Sequence, residues 1–83
     1  MSEENKLVRM ANQIAIFFHT QPVAEERAPG VATHINKFWE PRMRRGLFEI
    51  VDHHGGEGLD PLVMEAVPLI HRPPEPAKAP AGG

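Results

Sequence analysis

Phe38-Trp39-Glu40-Pro41-Arg42-Met43-Arg44-Arg45 combines the chain's one Trp, a Pro and three arginines within a single short run. The fixed φ of proline suits the first turn of a helix, so we predict a corner between two helices at this point. Phe38 and Trp39 would close the apolar face of the first helix, and Pro41 would begin the second. The arginines fall in the second helix's first turn, where cations oppose the helix dipole at about 0.3–1 kcal/mol each when exposed. An acidic or carbonyl-rich partner surface would explain this arrangement.

The size of the chain permits one small domain. It has 83 residues and no Cys, so neither disulfides nor thiolate metal sites can stabilise it. A domain of about 60 residues buries only about 60% of the surface that its unfolded chain exposes. We therefore expect the remaining stabilisation to come from closely packed helices or from association with another chain. The net charge of −2 excludes a globally basic nucleic-acid-binding protein, although not a local basic patch.

Neither a membrane span nor a targeting signal is predicted. The longest apolar run, residues 14–18, is far shorter than the roughly 20 residues that cross a bilayer. The first five residues are acidic and lack the basic region with which a signal peptide begins. The sequence therefore predicts a cytoplasmic protein with no membrane contact.

Apolar residues at helical spacing predict an all-α fold, a small bundle of three to four short helices. The first helix covers residues 6–19, the second runs from near Pro29 to Trp39, and the third begins at Pro41 and stops at Gly55-Gly56. Asp60-Pro61 is a start signal for a further short helix, which Pro68 should end or kink. The predicted domain spans residues 1–71, followed by a disordered or extended Pro-rich tail at residues 72–83. The predicted shared core consists of Leu7, Ile14, Phe18, Val31, Ile35, Phe38, Leu47, Ile50 and Val51.

Two apolar features suggest contact with another chain. Residues 62–70 are apolar almost all round and need two covering surfaces, of which we expect the second to be another chain. Ile16 lies opposite the stripe of Leu7, Ile14 and Phe18, and is either a single exposed apolar residue or a second, partner-facing contact. With the corner, these features give the predicted partner interface: Ile16, Trp39, Arg42, Arg44, Arg45, Leu62 and Leu69.

The three arginines and Trp39 admit two functional interpretations and one structural one. They could bind nucleic-acid phosphates while Trp39 stacks on a base. They could instead form a protein–protein hot spot, where Trp and Arg are enriched. In the structural interpretation Trp39 lies in the core and the arginines lie in solvent. Acidic composition elsewhere makes nucleic acid the weakest of these. Arg44 can reach back to Glu40, whereas Arg42 has no acidic residue three or four positions away.

No residue pattern indicates catalysis or a metal site. The histidines lie at helix ends and in loops without HxxxH or ExxH spacing, so we interpret them as structural or solvated. Gly55-Gly56-Glu57-Gly58 follows a helix and lacks the Lys-Ser/Thr of a phosphate-binding loop, which makes it a linker between helices. The sequence contains no GxSxG motif and no Cys nucleophile. We predict no catalytic, cofactor-binding or metal-binding residue in this chain.

Several runs resemble the delta subunit of NAD-dependent, molybdenum-containing formate dehydrogenase. The resemblance extends from about Leu7 to Val67, and its most specific part is the Phe-Trp-x-Pro-Arg-Met-Arg run that begins at Phe38. The other runs are residues 7–15, Phe17-Phe18, residues 31–35 and residues 58–63.

This resemblance implies a small accessory subunit of a soluble cytoplasmic complex that oxidises formate and reduces NAD. In that family the alpha subunit carries the bis-molybdopterin guanine dinucleotide cofactor and iron–sulfur clusters, while the beta and gamma subunits carry FMN and further clusters. A chain without Cys cannot hold a conventional iron–sulfur cluster, in agreement with a delta subunit that has no redox centre. We therefore expect a non-catalytic subunit that docks on the molybdenum-bearing subunit and stabilises it. The alternatives are a nucleic-acid-binding module and a transient assembly chaperone for molybdenum cofactor insertion.

Overall fold

A computed structural model describes residues 3–73, and this part of the chain is entirely helical apart from its connections. The four helices are α1 (Glu3–His19), α2 (Arg27–Phe38), α3 (Pro41–His54) and α4 (Pro61–Ala66), with single 3-10 turns at Ala24–Glu26 and Val67–Leu69. The predicted all-α fold is therefore confirmed. All but the first two residues of the predicted Pro-rich tail lie outside the described residues.

The helix boundaries follow the local signals in the sequence. Pro41 and Pro61 occupy the first turns of α3 and α4, and the Asp60 carboxylate caps α4 by accepting a hydrogen bond from the Leu62 N–H at 2.8 Å. Gly55 ends α3 in the left-handed conformation, with φ of 65°, which a residue with a Cβ adopts only at a cost. Pro68 cannot donate to an α-helical hydrogen bond, and α4 accordingly gives way to a 3-10 turn.

α1 is the central helix, because it packs against α2, α3 and α4. Its buried side chains are Leu7, Ala11 and Ala15, and the two alanines let the neighbouring helices approach closely. α2 also packs against α4, which closes the bundle. The buried core is completed by Val31, Ala32, Ile35, Trp39, Leu47, Phe48, Ile50, Leu62, Val63, Ala66 and Ile70.

Phe38 was predicted in the core, but 63% of its surface is exposed. α2 ends at this residue, and Trp39 adopts extended backbone angles of φ −88° and ψ 134°. This turn buries the larger Trp39 side chain, which is only 6% exposed, and leaves Phe38 on the surface. Of the other predicted core residues, Ile14, Phe18 and Val51 are half-buried.

The second covering surface of residues 62–70 is provided mainly by this chain itself. α4 contacts both α1 and α2, and Leu62, Val63 and Ile70 are each no more than 5% exposed. The expectation that another chain covers this segment is therefore corrected for most of its length. Glu65, Pro68 and Leu69 face outward, and Leu69 is 49% exposed.

Candidate partner-docking surface

An apolar groove lies between α1 and α2, on the surface of the bundle. Its volume is about 480 Å³, and we call it the α1–α2 groove; it is lined by Met10, Gln13, Ile14, Phe17, Phe18, His34 and Trp39. A second depression, of about 410 Å³, shares Phe18 and His34 with it and continues along α2 to Lys37 and Phe38. Phe17 and Phe38 are 59% and 63% exposed, so two large aromatic side chains lie in solvent along one continuous surface.

The base of this surface depends on Gly30. A Cβ placed on Gly30 would lie 2.5 Å from Cε1 of Phe18, well inside van der Waals contact. The absence of a side chain at this point lets the Phe18 ring lie against the backbone of α2. Phe17, the next residue, meets Phe18 edge to face, with ring centroids 5.0 Å apart and planes at 88°. Such geometry is favourable for aromatic pairs and holds Phe17 over the groove.

The polar and charged residues around the surface are neutral or basic. The His34 ring lies 4.8 Å from that of Phe38, and the Lys37 ammonium lies 5.5 Å from the centroid of the same ring. Gln13 and Thr33 are the uncharged polar members of the two linings, and neither lining contains an Asp or Glu. The surface therefore combines exposed aromatic rings with positive charge.

The structure separates the predicted interface residues into three groups, which are buried, exposed and half-buried. Trp39 and Leu62 are 6% and 5% exposed, so their side chains belong to the core of this chain. Ile16 is 62% exposed and Leu69 is 49% exposed. Arg42 lies on the surface, whereas Arg44 and Arg45 are half-buried. Since no partner chain is present, the interface itself stays a prediction.

Arg44 is held by the C-terminal end of the described chain rather than by Glu40. Its Nη1 donates to the carbonyl oxygen of His71 at 2.8 Å. Its Nε is buried without a hydrogen-bond acceptor, which leaves one donor of the guanidinium unsatisfied. Arg44 thus orders the chain that follows α4.

Residues 69–72 form a strap that crosses α2 and α3. The Asn36 side chain donates to the Leu69 carbonyl at 3.1 Å and accepts from the His71 N–H at 2.7 Å. The Arg72 guanidinium pairs with Asp52 at 2.9 Å and lies 4.1 Å from the centroid of the Phe48 ring. The hydrogen bond from Arg72 lowers the pKa of the Asp52 carboxyl. Side chains of two helices therefore fix the strap.

A second polar cluster joins α1 to the loop before α4. Asn12 accepts from the Asp60 N–H at 2.8 Å and donates to the Gly58 carbonyl at 2.9 Å. His19 contacts the Asp60 carboxylate at 3.0 Å. The hydrogen bond from the Leu62 N–H, assisted by His19 and opposed by partial burial, lowers the pKa of Asp60. This cluster positions α4 on α1.

Neither a metal centre nor a membrane span is found in the residues that the structure describes. Within residues 3–73, no three His, Asp or Glu side chains converge in a way that could hold a metal ion. No helix in the same range is long and apolar enough to cross a bilayer.

Sequence reasoning missed the two exposed phenylalanines, although one of them left a signal. Adjacent residues on a helix point about 100° apart, so Phe17 lies at the edge of the stripe that Leu7, Ile14 and Phe18 form. Phe18 completes the buried stripe, which leaves Phe17 outside it. The exposure of Phe38 had no comparable signal, because it depends on the extended conformation of Trp39.

Comparison with known families identifies one match. The model of the FdsD family, described as the delta subunit of NADH-dependent formate dehydrogenase, matches residues 6–67. The match begins within α1, includes α2, α3 and α4, and confirms the resemblance seen in the sequence. Among curated proteins, none matches the chain.

Proposed function

The chain belongs to the FdsD family of formate dehydrogenase delta subunits, and on this premise we propose that it is a non-catalytic accessory subunit of the complex. It docks on the alpha subunit, which bears the molybdenum cofactor, and stabilises it. The beta and gamma subunits belong to the same cytoplasmic assembly. The iron–sulfur clusters reside on the alpha, beta and gamma subunits, and the FMN on the beta and gamma subunits.

The observation that best supports this proposal is the exposed apolar surface formed by the α1–α2 groove, which includes Phe17, and the adjoining depression, which includes Phe38. A small soluble domain gains nothing from holding Phe17 and Phe38 in water at about 60% exposure. Contiguous exposed apolar surface with aromatic residues is typical of protein–protein contacts. A docking role also agrees with the size of the chain, because burying this surface against a larger subunit would supplement a small core.

The nucleic-acid alternative loses the residue on which its base contact depended. Trp39 is 6% exposed, so its ring cannot stack on a base unless the corner between α2 and α3 opens. Arg44 is already engaged with the His71 carbonyl. Burial of Trp39 matches the structural interpretation of this residue, so a partner contact at this corner would depend on Arg42 and Arg45.

The test of the accessory role is coexpression of the chain with the alpha, beta and gamma subunits, followed by size-exclusion chromatography. We expect the chain to elute with the complex at fixed stoichiometry, as a subunit does. A chain that leaves the complex once the molybdenum cofactor is inserted would instead be a chaperone. The isolated chain should neither oxidise formate nor show flavin or iron–sulfur absorption.

The arginine corner supplies a first prediction at residue level. We expect Arg42→Ala combined with Arg45→Ala to weaken binding to the alpha subunit roughly thirtyfold, or about 2 kcal/mol, while leaving the helical content unchanged. Arg44→Ala is unsuited to this test, since it also releases the strap. Trp39→Ala is unsuited because it opens the core. Affinity is measured by titrating labelled chain with the alpha subunit. Undiminished binding would mean that both arginines are solvated and take no part in the contact.

A further inference from the structure

We infer that the α1–α2 groove receives one amphipathic helix of the alpha subunit, with an apolar face and carboxylates along its flanks. This inference rests on the proposed function and specifies the segment that docks. It assigns the contact to Phe17, Phe38 and Lys37, none of which was predicted as interface from the sequence.

The walls of the groove favour a helix over an extended segment. Both walls are α-helices, whose backbone N–H and C=O groups are already bonded within each helix. They offer no sheet edge, so an extended segment would leave its own backbone groups unpaired on burial. A helix satisfies its backbone internally and presents only side chains.

The dimensions of the groove fit about two turns of helix. On α1 the lining residues Met10, Gln13, Ile14 and Phe17 follow the i, i+3, i+4, i+7 pattern of one helix face. At 1.5 Å per residue this face is roughly 10 Å long. A docked helix that packs ridges into grooves along it would insert apolar side chains at the same spacing. The volume of about 480 Å³ accepts several such side chains.

The charges around the groove specify the flanks of the docked helix. His34 lines the groove, Lys37 lines the adjoining depression on α2, and neither lining contains a carboxylate. A partner helix with Asp or Glu beside its apolar face would complement Lys37, whereas a basic helix would be repelled.

Paired substitutions in the coexpressed complex test the contact. Phe17→Ser and Phe38→Ser change exposed side chains and should preserve the fold, which circular dichroism checks. We expect each to weaken binding to the alpha subunit at least tenfold. Val23→Ser is the matched control, because Val23 is a 43% exposed apolar residue outside the groove. Lys37→Glu should weaken binding more at low salt than at high salt, and Arg9→Glu, the same charge change on the exposed side of α1, should not.

Photo-crosslinking identifies the occupant. A benzophenone amino acid at position 17 or 38 of the assembled complex should crosslink to one helical segment of the alpha subunit with acidic residues beside its apolar face. Crosslinks to a basic or extended segment, to a second copy of this chain or to residues 74–83 would overturn the inference. So would normal binding of both serine variants in a complex that still assembles. If the wild-type chain does not coelute with the alpha subunit at all, the proposed function fails instead.

Discussion

At the scale of single residues, polar side chains of the helices direct the course of the connecting backbone. Asn36 binds both the Leu69 carbonyl and the His71 N–H, and Asn12 does the same for Gly58 and Asp60. Each asparagine uses its amide as one donor and one acceptor toward main-chain atoms. The segments on either side of α4 are therefore held by side chains that lie in other helices.

Asp60 gives a prediction for stability and its dependence on pH. Asp60→Ala removes the helix cap and the contact with His19, and should lower the free energy of unfolding by about 1 kcal/mol at neutral pH. Asp60→Asn keeps a capping oxygen but loses the charge, and should cost less. The folded-state pKa of Asp60 lies below its ordinary value of 3.8. The stabilisation that depends on the charge of Asp60 is therefore fully present above the ordinary pKa, and it is lost as the pH falls through the folded-state pKa.

The measurement is urea unfolding of wild type and both variants, followed by circular dichroism at neutral and acidic pH. The difference in the free energy of unfolding between wild type and Asp60→Asn should shrink at acidic pH. The larger loss of stability in Asp60→Ala should persist in part. A gap for Asp60→Asn that does not change with pH would mean that the charge of Asp60 contributes nothing to the fold.

At the scale of elements, two helical glycines determine how closely α2 and α3 approach α1. A Cβ on Gly30 would overlap the rigid Phe18 ring at 2.5 Å from Cε1 and 2.6 Å from Cδ1. On Gly46 it would lie 2.6 Å from Cδ1 of Leu7, the end of a flexible side chain. Strain of about 1–3 kcal/mol from overpacking competes with the gain of about 1 kcal/mol from replacing glycine by alanine in a helix.

We therefore expect Gly30→Ala to lower the free energy of unfolding by about 1 kcal/mol and to lower it more than Gly46→Ala does. Equilibrium unfolding of the two variants provides the comparison. In a double-mutant cycle, Phe18→Ala should remove the penalty of Gly30→Ala, because the side chain that the new methyl group meets is gone. An unchanged penalty would locate the strain elsewhere in α2.

The helices could be predicted from sequence because their signals are local. Pro41, Gly55, Asp60 and Pro61 each act through their own backbone angles or nearest neighbours, and each begins or ends a helix as predicted. The groove could not be predicted, because it depends on how α2 lies against α1 and on the direction in which Trp39 leaves α2. Contacts between helices distant in sequence carry no periodic pattern.

At the scale of the whole molecule, the family match and the folded unit end at different residues. The match ends at Val67, but Ile70 is 4% exposed in the core and the strap binds α2 and α3 beyond it. Arg72 and Pro73 also contact the body, whereas the domain boundary predicted from sequence falls after residue 71. Where the domain ends is therefore a question that truncation can answer.

Three truncated chains should separate these boundaries by thermal unfolding. A chain ending at Pro73 keeps every contact described above, and we expect its stability to lie within about 0.5 kcal/mol of the full chain. A chain ending at His71 loses the pairing of Arg72 with Asp52. That ion pair is exposed and screened by solvent, so we expect a small loss of stability that comes mainly from the contact of Arg72 with the Phe48 ring and from the buried Pro73.

A chain ending at Val67 should be largely unfolded. It loses the buried Ile70 side chain, a loss of about 2–5 kcal/mol, together with hydrogen bonds from Asn36 and Arg44 of about 1 kcal/mol each. Domains of this kind are stable by only about 5–15 kcal/mol, and a small core places this chain near the lower end. If the chain ending at Val67 melted cooperatively at the melting temperature of the full-length chain, the strap would not be needed for a stable fold. If it gained its helical signal only when bound to the alpha subunit, the partner would be supplying the stability that the strap provides in the free chain.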